Sequence, residues 1–226
     1  MYRRTSAKMP RPSTKSAALA YLARGWSVIP IGPRSKRPLV RWAQYQRRLA
    51  TAKEINAWYR RWRNANVGIV TGRISGLIVL DVDPRHFGDD TLFDMERAYG
   101  PLPHTVESIT GSGGRHIYFA YPGRVTRNVD GLATGLDLKG DGGVVVAPPS
   151  VHPSGRRYEW EVSHHPDSTP LSPLPRWIHK LIWTTSVPKG HTVDHWRSLV
   201  RGGVPEGQRN NSVAITSSSP SVRCWH

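Results

Sequence analysis

Between residues 67 and 161 the apolar positions fall in short blocks separated by glycine-rich turns, a texture of strands. The block Leu77-Ile78-Val79-Leu80-Asp81-Val82-Asp83 is the most informative. On a strand, Leu77, Val79, Asp81 and Asp83 share one face while Ile78, Leu80 and Val82 share the other. A strand buried on both faces therefore ends in two carboxylates aimed the same way, and Pro84 ends its pairing. Further strands are predicted at 26–31, 67–70, 104–110, 115–120, 136–139, 143–147 and 157–161. Helices are predicted at 15–24, closed by Gly25, at 51–63, at 90–99, closed by Gly100-Pro101, and at 174–183. The second opens on a capping box, Thr51 with Glu54, and has Ile55, Trp58, Tyr59 and Trp62 as its apolar face. Short strands with helices on the flanks predict an α+β fold with a mixed, largely antiparallel sheet core.

Length adds one main domain and no room for two large ones. Residues 1–14 read as a flexible basic arm, 15–183 as the domain, and 184–226 as a linker followed by the truncated start of a helical region. No internal repeat is visible.

Charge changes the picture more than length does. The chain has 32 Lys and Arg against 16 Asp and Glu, a formal net charge of +16. Such a balance implies a polyanionic partner. Nucleic acid fits better than a membrane, because no segment has the apolar length of a membrane span and the cations are interleaved with Trp, Tyr and Pro. The one cysteine, Cys224, allows neither a disulfide framework nor a cysteine zinc site, and no apolar stretch follows the basic N-terminus as a signal peptide requires. A reducing, cytoplasmic compartment is expected.

Three elements carry chemistry. Asp81 and Asp83, about 6.6 Å apart along a strand, can converge on one hard cation, although Asp-x-Asp-Pro is also an ordinary strand exit. Gly111-Ser112-Gly113-Gly114-Arg115-His116 is a glycine-rich turn running into a strand. Its amides can cradle an anion, with Ser112 adding a hydroxyl and His116 an imidazole on the face shared with Tyr118; a plain hairpin is the other reading. Leu136-Asp137-Leu138-Lys139 sets a carboxylate and an ammonium side by side on one face, as a site for metal and triphosphate needs and as an exposed strand also allows. Lys36 lies in the cationic loop 32–38.

Taken together and in this order, Leu80-Asp81-Val82-Asp83, Ser112-Gly113-Gly114-Arg115-His116, Leu136-Asp137-Leu138, Gly142-Gly143 and Ala147-Pro148-Pro149-Ser150 resemble the catalytic core of the primase-polymerase domain of the archaeo-eukaryotic primase superfamily. Lys36-Arg37-Pro38 with Trp42, and Asn66-Val67-Gly68-Ile69-Val70-Thr71-Gly72, are similar to that family's amino-terminal signatures. The resemblance covers about residues 17–177. It implies a template-dependent nucleotidyltransferase, a DNA polymerase, a DNA primase or both, acting in replication of a phage, plasmid or other mobile element. Asp81, Asp83 and Asp137 would bind two divalent cations, Mg²⁺ or Mn²⁺, and no zinc. Ser112, Gly113, Gly114 and His116, with Lys139 and Lys36, would contact the nucleotide. Partners would be single-stranded or primed DNA, dNTP with NTP as a second class, and a helicase domain or partner in a longer protein.

Two departures follow from the residues present. A zinc-binding insertion carried by some relatives has no cysteines here, and His152, His164 and His165 read as a solvated loop rather than a replacement. The segment Pro205-Glu206-Gly207-Gln208-Arg209-Asn210-Asn211 resembles the start of the helical domain that follows such cores, cut short. A metal-dependent glycosyltransferase also uses Asp-x-Asp but has no need of so positive a field. A haloacid-dehalogenase-like phosphatase requires a continuation that Pro84-Arg85 does not supply. A primase-like fold kept as a single-strand or origin-binding module would not need all three carboxylates.

Overall fold

The computed structural model describes residues 12–124 and 126–184. The expected N-terminal arm, up to residue 11, and the linker and helical region from residue 185 lie outside the described residues.

Helix α1 (Thr14–Ala23) starts where Ser13 accepts a hydrogen bond from the Ser16 amide, and it stops at Arg24 because Gly25 takes φ +80°. Strand β1 (Ser27–Ile31) follows. A short 3₁₀ turn then leads to α2 (Ala52–Arg61), whose capping box forms as expected: Glu54 N–H donates to Thr51 Oγ1, and Thr51 N–H donates to the Glu54 carboxylate. Ile55 and Tyr59 are its buried residues, and Trp58 and Trp62 pack at the core's margin. Strand β2 (Asn66–Val70) pairs antiparallel with β1, and later with β8 (Val144–Ala147), giving a three-stranded sheet ordered β1-β2-β8.

The larger sheet is built on β3 (Leu77–Val82). After α3 (Gly88–Tyr99), the chain forms β4 (Glu107–Ile109), β5 (Arg115–Ala120), β6 (Val129–Ala133), β7 (Leu136–Lys139), β9 (Glu159–Trp160) and β10 (Ser172–Pro173), and ends its described part in α4 (Arg176–Thr184). The strand order is β6-β7-β3-β5-β4-β9, with β10 parallel to the end of β5. The α+β class and the largely antiparallel pairing agree with the sequence reading, distributed over two sheets.

The two faces of β3 enter two different cores, as its alternation requires. Leu77 and Val79 join Tyr118 and the residues of α1, α2 and the smaller sheet. Ile78, Leu80 and Val82 join Ile117, Phe119, Leu136, Leu138 and the apolar faces of α3 and α4. Fully burying each of these aliphatic side chains is worth about 1.5–3 kcal/mol. A one-residue slip would drive Asp81 into the second core and put every apolar side chain of β3 into the wrong one, so the register is strongly fixed.

Two expected strands are shorter than the sequence suggests. The 104–110 stretch pairs only at 107–109, because Ser172 of β10 takes the place beside the end of β5 and binds Thr105 and His104 instead. Likewise the 157–161 stretch keeps only Glu159–Trp160. Strand β6 was not foreseen: Asp130 and Gly131 interrupt its apolar pattern, and its pairing with β7 is irregular between Val129 and Ala133.

Candidate active site

Register brings the chemistry together. Asp81 on β3 lies directly opposite Asp137 on β7 and directly opposite His116 on β5, and His116 lies opposite Ser108 on β4. Directly opposite residues share a face with Cβ atoms about 4.5–5.5 Å apart, so the two carboxylates and the imidazole form one row across neighbouring strands. In the next row stand Lys139, Val79 and Tyr118. The row faces the side on which the smaller sheet packs, at the hydrophilic end of the core that Val79 and Tyr118 help to fill.

Each acidic group has a distinct environment. The Asp81 carboxylate faces His116, with Oδ1 3.6 Å from Nε2. Asp137 accepts from the Gly131 amide (2.7 Å) and from Lys139 Nζ (3.1 Å), which also reaches Asp130 (2.7 Å). Burial opposes the charge of Lys139, but its hydrogen bonds to Asp130 and Asp137 outweigh this and raise its pKa. Asp83 continues the extended backbone of β3 and then turns inward on its own loop. It accepts from Arg85 Nε (3.0 Å), Arg85 Nη2 (2.8 Å) and the Arg85 amide (3.1 Å), and pairs with His86. The Arg85 guanidinium holds its carboxyl well below the usual carboxylate range. Among the described residues, no three His, Cys, Asp or Glu side chains are gathered tightly enough to hold a metal ion. Arg85 and Lys139 occupy two of the three carboxylates that would have to converge.

His116 is buried at 6 % exposure, between Tyr118 and Tyr158, and its Nδ1 has no hydrogen-bond partner. Burial lowers its pKa; Asp81 pulls the other way, and the charges of Lys36 and Lys139 lower it further. The charge of Lys36 reaches the row from the loop after β1, which closes through Gly32 N–H donating to the Arg37 carbonyl. The glycine turn lies against the end of β3: a Cβ on Gly114 would stand 2.4 Å from the Val82 carbonyl oxygen and 3.2 Å from Pro84 Cδ. Gly113 takes φ +91°. The free-amide cradle expected here is closed on itself, because Gly113 N–H donates to the Thr110 carbonyl and Gly114 N–H to the Thr110 hydroxyl, which also pairs with Ser112 Oγ (2.9 Å). Ser112 remains half-buried at the turn.

A family model described as bifunctional DNA primase/polymerase, N-terminal, matches residues 18–177, from α1 into α4. The chain belongs to this family. A primase/polymerase domain is a DNA-replication nucleotidyltransferase module, with a DNA template and nucleotides as what it binds. No curated protein matches the chain. Among the described residues no helix is long and apolar enough to cross a membrane.

Asn66 and Ser150, from the motifs that carried the resemblance, and Asp141 beside Gly142-Gly143 hold structure rather than face the row. Asn66 forms a two-way bridge to Val151, with its amide donating to the Val151 carbonyl and its oxygen accepting from the Val151 N–H, both at 2.8 Å. Ser150 is fully buried against the Val67 backbone. Asp141 accepts from the Arg73 amide, the Thr126 amide and the Tyr121 hydroxyl, all at 2.9 Å, so the Asp141-Gly142-Gly143 turn is a junction between segments.

Sequence reasoning missed Arg85, Tyr158 and His152. Arg85 is signalled only by its place two residues after Asp83. Tyr158 stands beside His116, its hydroxyl pKa pushed up to about 12 by burial. His152 was expected in a solvated loop, but it is 7 % exposed, packs on Tyr158, and lies under the glycine turn, where a Cβ on Gly111 would collide with its own Cβ. Its surroundings of Pro, Ser and Gly gave no apolar signal. His164 and His165 pair with Glu161 and Asp167 at partial exposure.

Burial, with the charges of Lys36, Arg85 and Arg156, lowers the His152 pKa, and Nδ1 accepts from the Ser154 amide. The unfolded chain then binds a proton near pH 6.5 that the folded chain binds only lower down. The stability that depends on neutral His152 is present above about pH 6.5 and is lost as pH falls through the folded value. Urea midpoints at about pH 7.5 and about pH 5.5 should fall further for wild type than for His152→Asn; equal falls would remove His152 from the acid response.

Proposed function

We propose that this domain is a template-dependent DNA polymerase, primase or both, joining nucleotides through two divalent cations held by Asp81, Asp83 and Asp137, in replication of a phage or other mobile element. The observation that supports it most is the row Asp137-Asp81-His116, which three separate strands build side by side. The donor set fits the metals: carboxylate oxygens suit Mg²⁺ or Mn²⁺, and no zinc is needed. When bound, such cations neutralise the developing charge and align the attacking 3′-hydroxyl with the leaving pyrophosphate.

The chain's own residues do the rest. Asp81 and Asp137 present oxygens across one strand pair, and with Asp83 they would hold the cations, Asp83 giving up its pair with Arg85 to do so. Arg85 and Lys139, now paired with Asp83 and Asp137, would be free to donate to the triphosphate once those carboxylates held cations. His116 is held neutral by burial, and its Nε2 edge, which faces Asp81 in the row, is the edge it presents to a nucleotide. Ser112 contributes its hydroxyl from the turn. The positive surface holds single-stranded or primed template.

His116→Ala should weaken dNTP binding about tenfold or more while leaving single-strand binding nearly intact. Unchanged nucleotide affinity would take His116 out of the site. Primer extension with labelled template, dNTPs and Mg²⁺ or Mn²⁺ tests the whole reading. Wild type should extend and the double variant Asp81→Ala with Asp83→Ala should not. A wild type that binds single strands and incorporates nothing would leave a DNA-binding module without catalysis.

A further inference from the structure

The positive charge is not spread evenly. Residues 12–80 carry thirteen Lys and Arg against one acid, Glu54, whereas residues 81–184 carry ten against thirteen. The carboxylate row therefore stands on an acidic part of the chain, and the field that attracts a polyanion originates in α1, α2, the smaller sheet and their loops.

Mostly on that unit, with Pro149, Val151 and Arg157 from the later part of the chain closing one side, lies a groove of about 580 Å³. It opens off the end of the smaller sheet where β1 and β8 finish and β2 begins, and Arg34, Arg63 and Arg157 line it with Asn64, Asn66 and Thr14. None of its lining residues is acidic, and none belongs to the row of Asp81, Asp137 and His116. Arg34 reaches it from a left-handed backbone conformation, φ +49°, which costs an ordinary residue about 1 kcal/mol or more and is maintained here by the loop 32–37. Two residues on, the same loop carries Lys36, whose charge is felt at His116. One loop thus places a cation in the groove and another within electrostatic range of the candidate active site.

We infer that this arginine groove is a track for the phosphate backbone of single-stranded DNA, leading the template toward the carboxylate row. The inference rests on the polymerase reading for its direction, but not for the binding itself. Guanidinium groups fork onto phosphate oxygens, and a groove without a carboxylate offers no repulsion to a second or third phosphate.

The test is fluorescence anisotropy of labelled single-stranded DNA with the full chain, without metal or dNTP. Arg34→Ala/Arg63→Ala/Arg157→Ala should bind about a hundredfold more weakly at about 0.1 M salt, with a log–log salt slope shallower by about 2, since single strands give about 0.7 per phosphate contact. A charge-matched variant outside the groove, Arg97→Ala/Arg127→Ala/Arg176→Ala, should lose about threefold or less. Should the first variant melt early, the exposed single change Arg63→Glu should still cost about tenfold. Equal losses in the two triple variants would overturn the groove and leave template binding standing. A loss of dNTP affinity without loss of DNA affinity would also overturn it, making the groove a nucleotide site. A wild type that does not bind single strands at all would overturn both this inference and the polymerase reading.

Discussion

Asp81→Asn is expected to lower nucleotide incorporation by about a thousandfold or more, some 4 kcal/mol of transition-state stabilisation, with the fold intact. The substitution is nearly isosteric and changes one oxygen to an amide. Asp81 is half-exposed at the end of a strand whose other residues are buried, and the titratable side chain facing it, His116, is held neutral by burial, so little folding energy depends on its charge. Its place in the middle of the row makes it the only carboxylate flanked directly by both Asp137 and His116 among the described residues. Single-strand affinity should stay within about twofold, because the cations that attract DNA lie elsewhere. Asp83→Asn should cost less than Asp81→Asn, since Asp83 must first leave Arg85. Steady-state incorporation and thermal melting of both variants check this ranking; equal activity of wild type and Asp81→Asn would defeat it.

Gly114→Ala is expected to destabilise the domain by about 2–3 kcal/mol and to reduce incorporation as well. The added Cβ would meet the Val82 carbonyl oxygen at 2.4 Å, a backbone atom of a buried strand, with Pro84 Cδ at 3.2 Å and Thr110 Oγ1 at 3.3 Å closing the other sides. The turn 110–114 must lift away from the end of β3, carrying Ser112 with it and loosening the support of Asp83. Gly113→Ala differs in kind: it meets no neighbour but keeps φ at +91°, so its cost is the left-handed conformation alone, about 1–2 kcal/mol. Denaturant midpoints of the two variants, read beside activity, separate collision from backbone preference. A Gly114→Ala chain as stable and active as wild type would mean that the turn does not brace the site.

How much of this the sequence carries depends on the range of the interaction. The two-faced burial of β3 is legible, because alternation is local and each face has its own core to enter. The helix ends are legible for the same reason, through Ser13, the Thr51 and Glu54 pair, and Gly25. The partnership of Asp81 with Asp137 is visible as a recurring pattern, but not as geometry: β7 pairs with β3 across an intervening helix and three strands, and only the sheet order sets the two residues opposite each other. What stays hidden is what depends on packing from afar. His152 reads as loop because its neighbours are turn formers, and it is buried because Gly111 lets it approach. Arg85 reads as a stray cation, and it is the residue that holds Asp83. The strand at 104–110 is cut short by a segment more than sixty residues later.

The central claim is that Asp81, Asp83 and Asp137 together hold divalent cations at the point of nucleotide addition. Mn²⁺ titration followed by the electron paramagnetic resonance of the free ion, with full chain and a non-hydrolysable dNTP analogue, counts bound ions without requiring turnover. Wild type should bind about two ions per chain, and Asp81→Asn/Asp137→Asn should lose that binding. Unchanged Mn²⁺ binding by the double variant, or none by wild type, would contradict it.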